Sequence, residues 1–62
     1  MKKKIIITTQ TGSMFIFTAN VEDIIKDMWD SYNYTLTNDQ LNKESLTLDI
    51  GGDIIEIINE AV

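Results

Sequence analysis

Two short runs of β-branched and aromatic residues near the start of the chain constrain its fold most strongly. The runs cover residues 3–9 and 13–18 and are separated by a loop at residues 10–12, so together they predict a β-hairpin. Gly12 suits the left-handed bulge position that closes a three-residue hairpin loop. This loop fixes which residues of the two strands lie opposite each other.

The predicted register places Ile7 opposite Phe15 and Ile5 opposite Phe17. Because strand side chains alternate, these four residues share one face of the hairpin. The other face carries Ile6, Thr8, Met14 and Ile16. Both faces are therefore largely apolar.

A hairpin that is apolar on both faces needs cover on both. One predicted helix covers one face, and another molecule must then cover the second. We predict a homodimer, because a contiguous apolar patch on a small domain usually marks an interface. The predicted dimer interface consists of Ile6, Met14, Ile16, Ile54 and Ile58.

A helix is predicted to begin after Asn20 and to end at Asn33. Asn20 is a suitable N-cap, and Asp23 stands three residues later in place of the Glu of a capping box. The apolar residues that follow are spaced as on one side of a helix, and we expect them, including both aromatics, in the core. They are Val21, Ile24, Ile25, Met28, Trp29 and Tyr32.

Residues 34–44 give a weaker pattern, which we interpret as an ordered loop. Residues 34–36 suit a short strand, and Thr37 with Gln40 suits the cap of a single helical turn. Residues 45–50 alternate between apolar and polar side chains and predict a strand with one solvated face.

Residues 53–62 fit two interpretations. As a strand, the segment pairs with residues 45–50 across Gly51 and Gly52, and its Ile content favours this arrangement. As a helix, Asp53 begins a capping-box-like start, and the apolar residues Ile54, Ile55, Ile57, Ile58, Ala61 and Val62 cluster on one side. We prefer the strand. The prediction is one α+β domain spanning residues 1–62, a two-layer ββαββ fold with an antiparallel sheet and one helix, with ββαβα as the alternative.

The chain is short and lacks the usual covalent and metal staples. It has 62 residues, no Cys and no His, so it cannot form a disulfide or a zinc site of the usual Cys and His ligands. We expect no cofactor and no metal. A domain of this size then depends on oligomerisation or on an unusually apolar core. The lack of a disulfide framework favours a cytoplasmic location, and no segment approaches the ~20 apolar residues of a membrane span.

The charges are distributed unevenly. Ten Asp and Glu residues face five Lys, for a net charge of −5, and residues 1–20 carry Lys2, Lys3 and Lys4 without any acid. This balance argues against direct nucleic-acid binding, which needs clustered basic side chains. The absence of Arg and Pro, with abundant Ile, Asn, Lys and Asp, is typical of AT-rich coding sequence. It suggests an AT-rich bacterium or its phage.

The sequence offers little for catalysis. Without His or Cys there is neither the common general base nor a thiolate nucleophile, so we predict that the protein is not an enzyme and has no catalytic residues. A calcium loop would need acids at EF-hand spacing, and Asp49, Asp53 and Glu56 do not have it. We interpret them as solvated acids around a turn.

Acidic side chains on the outer side of the predicted helix provide a candidate binding surface, consisting of Glu22, Asp23, Asp27 and Asp30. A negative ridge of this kind can occupy a basic groove on another protein in place of a nucleic acid. We predict a small acidic interaction module with a basic protein partner, such as a phage-encoded inhibitor of a host defence or nucleic-acid-handling protein in the bacterial cytoplasm. The alternative is a homodimeric structural protein without that mimicry.

Overall fold

A computed structural model describes residues 2–60. The chain forms one four-stranded antiparallel sheet with the strand order β2-β1-β4-β3. Its elements are β1 (Lys2–Thr8), β2 (Met14–Asn20), α1 (Val21–Tyr32), α2 (Asn38–Leu41), β3 (Ser45–Ile50) and β4 (Asp53–Asn59). The predicted two-layer α+β fold of ββαββ type is confirmed, with α2 as an additional single turn. β1 and β4 are the central strands, and β2 and β3 form the two edges.

The first hairpin has the predicted loop and register. The Thr9 amide donates to the Ser13 carbonyl at 2.9 Å, and the Gly12 amide donates to the Thr9 carbonyl at 3.0 Å, which is a turn with a glycine bulge. Gly12 has φ +88°, a conformation that favours glycine. Ile5 pairs with Phe17 and Ile7 with Phe15 as predicted.

Helix α1 follows β2 without an intervening loop, because Asn20 is at once the last residue of the strand and the N-cap. The predicted position of the cap is confirmed, although the Asn20 side chain makes no capping hydrogen bond. Asn33 ends the helix in the left-handed conformation, with φ 54° and its amide bonded to the Trp29 carbonyl at 2.9 Å. Helix α1 is therefore attached directly to the end of β2.

The segment between α1 and β3 is ordered around the short helix α2. Thr37 and Gln40 form a reciprocal capping box, in which the Gln40 amide donates to Thr37 Oγ1 at 3.2 Å and the Thr37 amide donates to Gln40 Oε1 at 3.0 Å. Leu36 is buried, and Tyr34 and Leu41 pack against the core. This segment thus covers part of the core face of the sheet with apolar side chains.

Residues 53–59 form strand β4, so the preferred interpretation is confirmed and the helical alternative is wrong. Gly51 and Gly52 both have positive φ, as a two-residue primed turn requires. β4 pairs with β3 on one side and β1 on the other, and Ile55 and Ile57 are almost completely buried between them. As a strand, the segment forms backbone hydrogen bonds with two neighbouring strands and buries its isoleucines between them. This arrangement stabilises the extended conformation more than an amphipathic helix would be stabilised. Ala61 and Val62, which the helical alternative also used, lie outside the described residues.

The core lies between the helical layer and one face of the sheet. Its buried apolar side chains are Ile5, Ile24, Met28, Leu36, Leu46, Ile55 and Ile57. Lys3 is also buried, with 1% of its surface exposed, and its Nζ donates to Asn59 Oδ1 and to the Lys43 carbonyl. The N-terminal lysines are therefore not one basic patch, because Lys3 belongs to the interior and Lys2 and Lys4 lie on the opposite face.

Candidate interaction surfaces

The face of the sheet turned away from the core, here called the open face, has no helix on it within residues 2–60. The core side chains of α1, Ile24 and Met28, pack with Ile5 and Ile57 on the other face. The register places all the predicted dimer-interface residues on the open face, namely Ile6, Met14, Ile16, Ile54 and Ile58. The structure therefore brings these side chains together, as the sequence predicts, and leaves them without cover from the described chain.

The apolar character of the open face is concentrated at β2. Met14 and Ile16 are 60% and 57% exposed. Ile6, Ile54 and Ile58 are half-buried among their neighbours. Glu56 lies directly opposite Ile6 on this face, and Thr47 of β3 lies beyond it. Towards β3 the open face is thus interrupted by polar and charged side chains.

β2 also exposes its aromatic residues on the core side of the sheet. Phe15 and Phe17 are 56% and 38% exposed, which corrects the expectation that the helix covers this face completely. A groove of ≈ 330 Å³ lies between α1 and the sheet, and its walls include Phe17, Asp27 and Ser31. Helix α1 reaches the core through Ile24 and Met28 and leaves both Phe rings exposed, so residues 14–17 are four consecutive exposed apolar side chains.

The outer backbone of β2 is free to pair. The Thr9–Ser13 hydrogen bond sets the alternation in the hairpin, so the peptide groups of Phe15 and Phe17 bond to β1. The N–H and C=O groups of Met14, Ile16 and Thr18 consequently point away from β1, where the described sheet has no further strand. We call residues 14–17, with these outward backbone groups, the β2 edge.

The four predicted partner-binding acids are all exposed on α1: Glu22, Asp23, Asp27 and Asp30. Glu22 and Asp23 lie in the first turn, where carboxylates are favoured by the helix dipole. Asp27 borders the groove, and Lys26 is the single basic side chain of the helix. Helix α1 thus presents a solvent surface of net negative charge.

Trp29 is 55% exposed, so the prediction that it belongs to the core is wrong. The helix meets the sheet through Ile24 and Met28, which are one turn apart, and this contact is narrower than the apolar stripe. Ile25 and Trp29 lie on the flank of the stripe that the contact does not reach, and Ile25 is also exposed. Periodicity predicts the stripe, but the position of the helix on the sheet decides which part of it is buried.

The acids around the second turn are separated by the sheet. Asp49 and Glu56 share the open face, while Asp53 lies on the core side opposite Ile50. Asp53 Oδ2 accepts a hydrogen bond of 3.0 Å from the Tyr32 hydroxyl. Across residues 2–60, no three His, Cys, Asp or Glu side chains gather closely enough to hold a metal ion.

The pKa of the Tyr32 hydroxyl is raised above its usual 10.0. Desolvation by burial is the largest cause, followed by the hydrogen bond to Asp53 and the negative charge of that carboxylate. All three favour the neutral phenol. Tyr32 thus serves as a neutral donor that ties the end of α1 to the start of β4.

No protein-family model, curated protein or solved structure matches the chain. Neither helix in the described part combines the length and the apolar character that crossing a bilayer requires. The candidate functional features of the molecule are therefore the acidic surface of α1, the open face and the β2 edge.

Proposed function

We propose that this protein is a non-enzymatic interaction module, whose α1 binds a basic surface of another protein. The supporting observation is that Glu22, Asp23, Asp27 and Asp30 are all exposed on one helix that carries Lys26 as its only basic residue. Opposite charge on a partner steers association and fixes its orientation. A rigid helix presents these carboxylates at fixed spacing.

The remaining charges support a protein partner rather than a nucleic acid. Lys3 is buried and its Nζ donates a hydrogen bond to Asn59. Lys2 and Lys4 are therefore the exposed cations of β1. Two neighbouring lysines are too few to hold a nucleic-acid backbone against a net charge of −5. The partner class that suits this balance is a protein with a groove lined by Lys or Arg.

A groove of that kind is typical of proteins that bind nucleic acid. We therefore propose that the module inhibits a defence or nucleic-acid-handling protein of a bacterial host by occupying its basic groove. The small size, the acidic composition and the AT-rich residue usage support a phage origin. In this proposal the module acts in the host cytoplasm.

The test compares two variants that each remove four negative charges. One neutralises α1 (Glu22→Gln, Asp23→Asn, Asp27→Asn, Asp30→Asn), and the matched control neutralises exposed acids elsewhere (Asp39→Asn, Glu44→Gln, Asp49→Asn, Glu60→Gln). The wild type is used to capture proteins from bacterial lysate, and mass spectrometry identifies them. The most enriched protein is then purified, and its affinity for the wild type and each variant is measured at about 50 mM and about 500 mM salt, because exposed charges are screened much more strongly at the higher concentration.

We expect the α1 variant to lose binding, the control variant to keep most of it, and the wild-type affinity to fall at high salt. Equal binding by both variants would show that net charge alone matters. An affinity independent of salt would rule out electrostatic recognition. Circular dichroism checks that both variants remain folded.

A homodimeric accessory role is the second candidate, and the specific observation in its favour is the uncovered open face. Met14 and Ile16 are more than half exposed there, which is unusual for large apolar side chains on an isolated domain. Ile16→Asp is expected to weaken self-association, and an unchanged mass in solution would argue against this role.

A further inference from the structure

We infer that two copies of this chain pair through their β2 edges in antiparallel orientation, so that their sheets join into one continuous eight-stranded sheet. This inference concerns β2 and does not depend on the partner proposed for α1. It commits to a second copy of the chain as the occupant of the β2 edge. It therefore also specifies the arrangement of a homodimer.

Within residues 2–60, the β2 edge has no charge, proline, bulge or covering segment that would prevent strand pairing. Edge strands are normally protected by charges, prolines, bulges or a covering segment. Residues 13–20 carry no charge and no Pro, and the one bulge lies at Gly12, before the strand begins. The outward backbone groups of Met14, Ile16 and Thr18 are thus accessible to a partner strand.

The sequence of β2 is self-complementary in one register. A two-fold axis at Ile16 places Ile16 opposite its copy, Met14 opposite Thr18, and Phe15 opposite Phe17. The outward backbone groups of residues 14, 16 and 18 then meet in hydrogen-bonded pairs, about six hydrogen bonds in all. Each Phe ring gains an aromatic cross-strand neighbour, a favourable pair in antiparallel sheets.

In the neighbouring registers, one Phe of each subunit lies opposite a small residue and loses its aromatic partner. An axis at Phe15 leaves Phe17 opposite Ser13, and an axis at Phe17 leaves Phe15 opposite Ala19. The register centred on Ile16 also brings a partner Phe beside Phe17, which lines the groove next to α1. This register therefore gives both exposed aromatic residues of β2 a partner in each subunit.

The charge distribution favours β2 over β3 as the site of self-pairing. Residues 2–20 contain three lysines and no acid, whereas β3 and β4 carry Asp49, Asp53 and Glu56 and no lysine. Pairing through β2 keeps the acidic strands of two subunits of net charge −5 apart. Pairing through β3 would bring the Asp49 side chains of both subunits to the same seam.

The exposed area approaches what a small stable dimer needs. Met14, Phe15, Ile16 and Phe17 are each 38–60% exposed. At about 200 Å² per large side chain they offer about 400 Å² per subunit. The adjoining polar side chains and the outer backbone of the strand extend this toward the ~600 Å² per partner at the lower limit of standard interfaces. We therefore expect a weak dimer, formed at micromolar or higher concentration.

Face-to-face stacking of two open faces is the main competing arrangement. It would place Glu56, which lies near the middle of that face beside Ile6, against a second copy of itself. Like charges brought together with loss of water oppose such a contact. Edge pairing leaves Glu56 accessible to solvent, because β4 is separated from the seam by β1.

The decisive experiment places one proline on each edge strand. Ile16→Pro removes an outward N–H of β2 and leaves the bonds to β1 intact. Thr47→Pro is the matched control, because the Gly51–Gly52 turn gives Thr47 an outward N–H on β3. Analytical ultracentrifugation at about 100 µM, a concentration far above a micromolar dissociation constant, reports the mass, and circular dichroism reports folding.

We expect the wild type and Thr47→Pro to sediment at twice the 7.1 kDa chain mass, and folded Ile16→Pro to sediment as a monomer. A monomeric wild type would overturn the inference and leave the β2 edge to a strand of a different protein. A dimeric Ile16→Pro would also overturn it. Dissociation by Ile58→Lys with Ile16→Pro still dimeric would indicate face-to-face stacking instead.

A crosslink provides a second test that does not depend on a proline variant. The chain has no cysteine, so Ile16→Cys introduces a single thiol at the two-fold axis. Cα atoms of a hydrogen-bonded antiparallel pair lie about 5.5 Å apart, within the range of a disulfide. We expect Ile16→Cys to oxidise to a covalent dimer and Thr47→Cys, its control on β3, to remain monomeric. Equal crosslinking of the two variants would contradict the inferred seam.

Discussion

The two edges of the sheet differ in nearly every property that controls strand pairing. β3 has Leu46 buried under the helical layer, and Thr47 and Asp49 turn polar groups to the open face. β2 exposes apolar side chains on both faces and carries no charge. In the described sheet both edges leave outward backbone groups without a partner strand. The edges differ in their side chains, which are buried, half-buried or polar on β3 and largely exposed and apolar on β2.

The difference follows from where the covering segments lie along the chain. Residues 33–44 lead from α1 to β3 and contribute Leu36, Tyr34 and Leu41 to the core. β2 has no such segment, because α1 begins at the residue after β2 ends. Helix α1 contributes Ile24 and Met28 to the core and leaves the side chains of the β2 edge exposed.

The largest expected effect contrasts one truncation on each edge. Leu46→Ala removes a buried side chain of β3 and should destabilise the fold by about 3 kcal/mol, within the usual range for core truncations. Phe15→Ala should cost under about 1 kcal/mol in the monomer, because the ring is already exposed. Urea unfolding at low protein concentration measures both, and equal losses would contradict the contrast between the edges.

A smaller effect is expected where β1 joins the segment before β3. Lys3→Ala removes the hydrogen bonds to Asn59 and to the Lys43 carbonyl and should cost about 2 kcal/mol. Lys4→Ala on the same strand is exposed and should change stability by less than about 0.5 kcal/mol. If thermal unfolding finds the two variants alike, the interior position of Lys3 has no energetic role.

The smallest effect is expected at the hydrogen bond between Tyr32 and Asp53. Tyr32→Phe should cost about 1 kcal/mol at neutral pH, the usual contribution of a hydrogen bond. Because the folded state raises the pKa of Tyr32, this contribution is complete below pH 10.0 and is lost as pH rises through the folded pKa. The stability difference between wild type and variant should therefore shrink in alkali. A difference that grows above pH 10 would contradict the cause assigned to the shift.

Local rules predict the strands, the turns and α1 from the sequence. The glycines at 12, 51 and 52 fix the turn geometries, and the alternation of side chains then fixes both hairpin registers. The open face follows from the same alternation. These features depend on residues close in sequence, which is why the pattern of residues suffices.

The features that sequence reasoning missed depend on residues far apart along the chain. Burial of Lys3 requires the Lys43 carbonyl and Asn59, which lie 40 and 56 positions away along the chain. Exposure of Phe15, Phe17 and Trp29 depends on where α1 rests on the sheet, which periodicity does not specify. The sequence signal that could have indicated the β2 edge is a strand with two aromatic residues that runs into a helix without a loop.

Hydrogen exchange at the Ile16 amide, followed by NMR as a function of protein concentration, tests the central claim most directly. This N–H points away from β1 and should exchange freely in the monomer. We predict that its protection rises with concentration while the Thr47 amide on the other edge stays unprotected. An Ile16 amide that exchanges at the same fast rate from about 10 µM to 1 mM, the range over which a weak dimer would form, would contradict the claim that β2 is the associating edge.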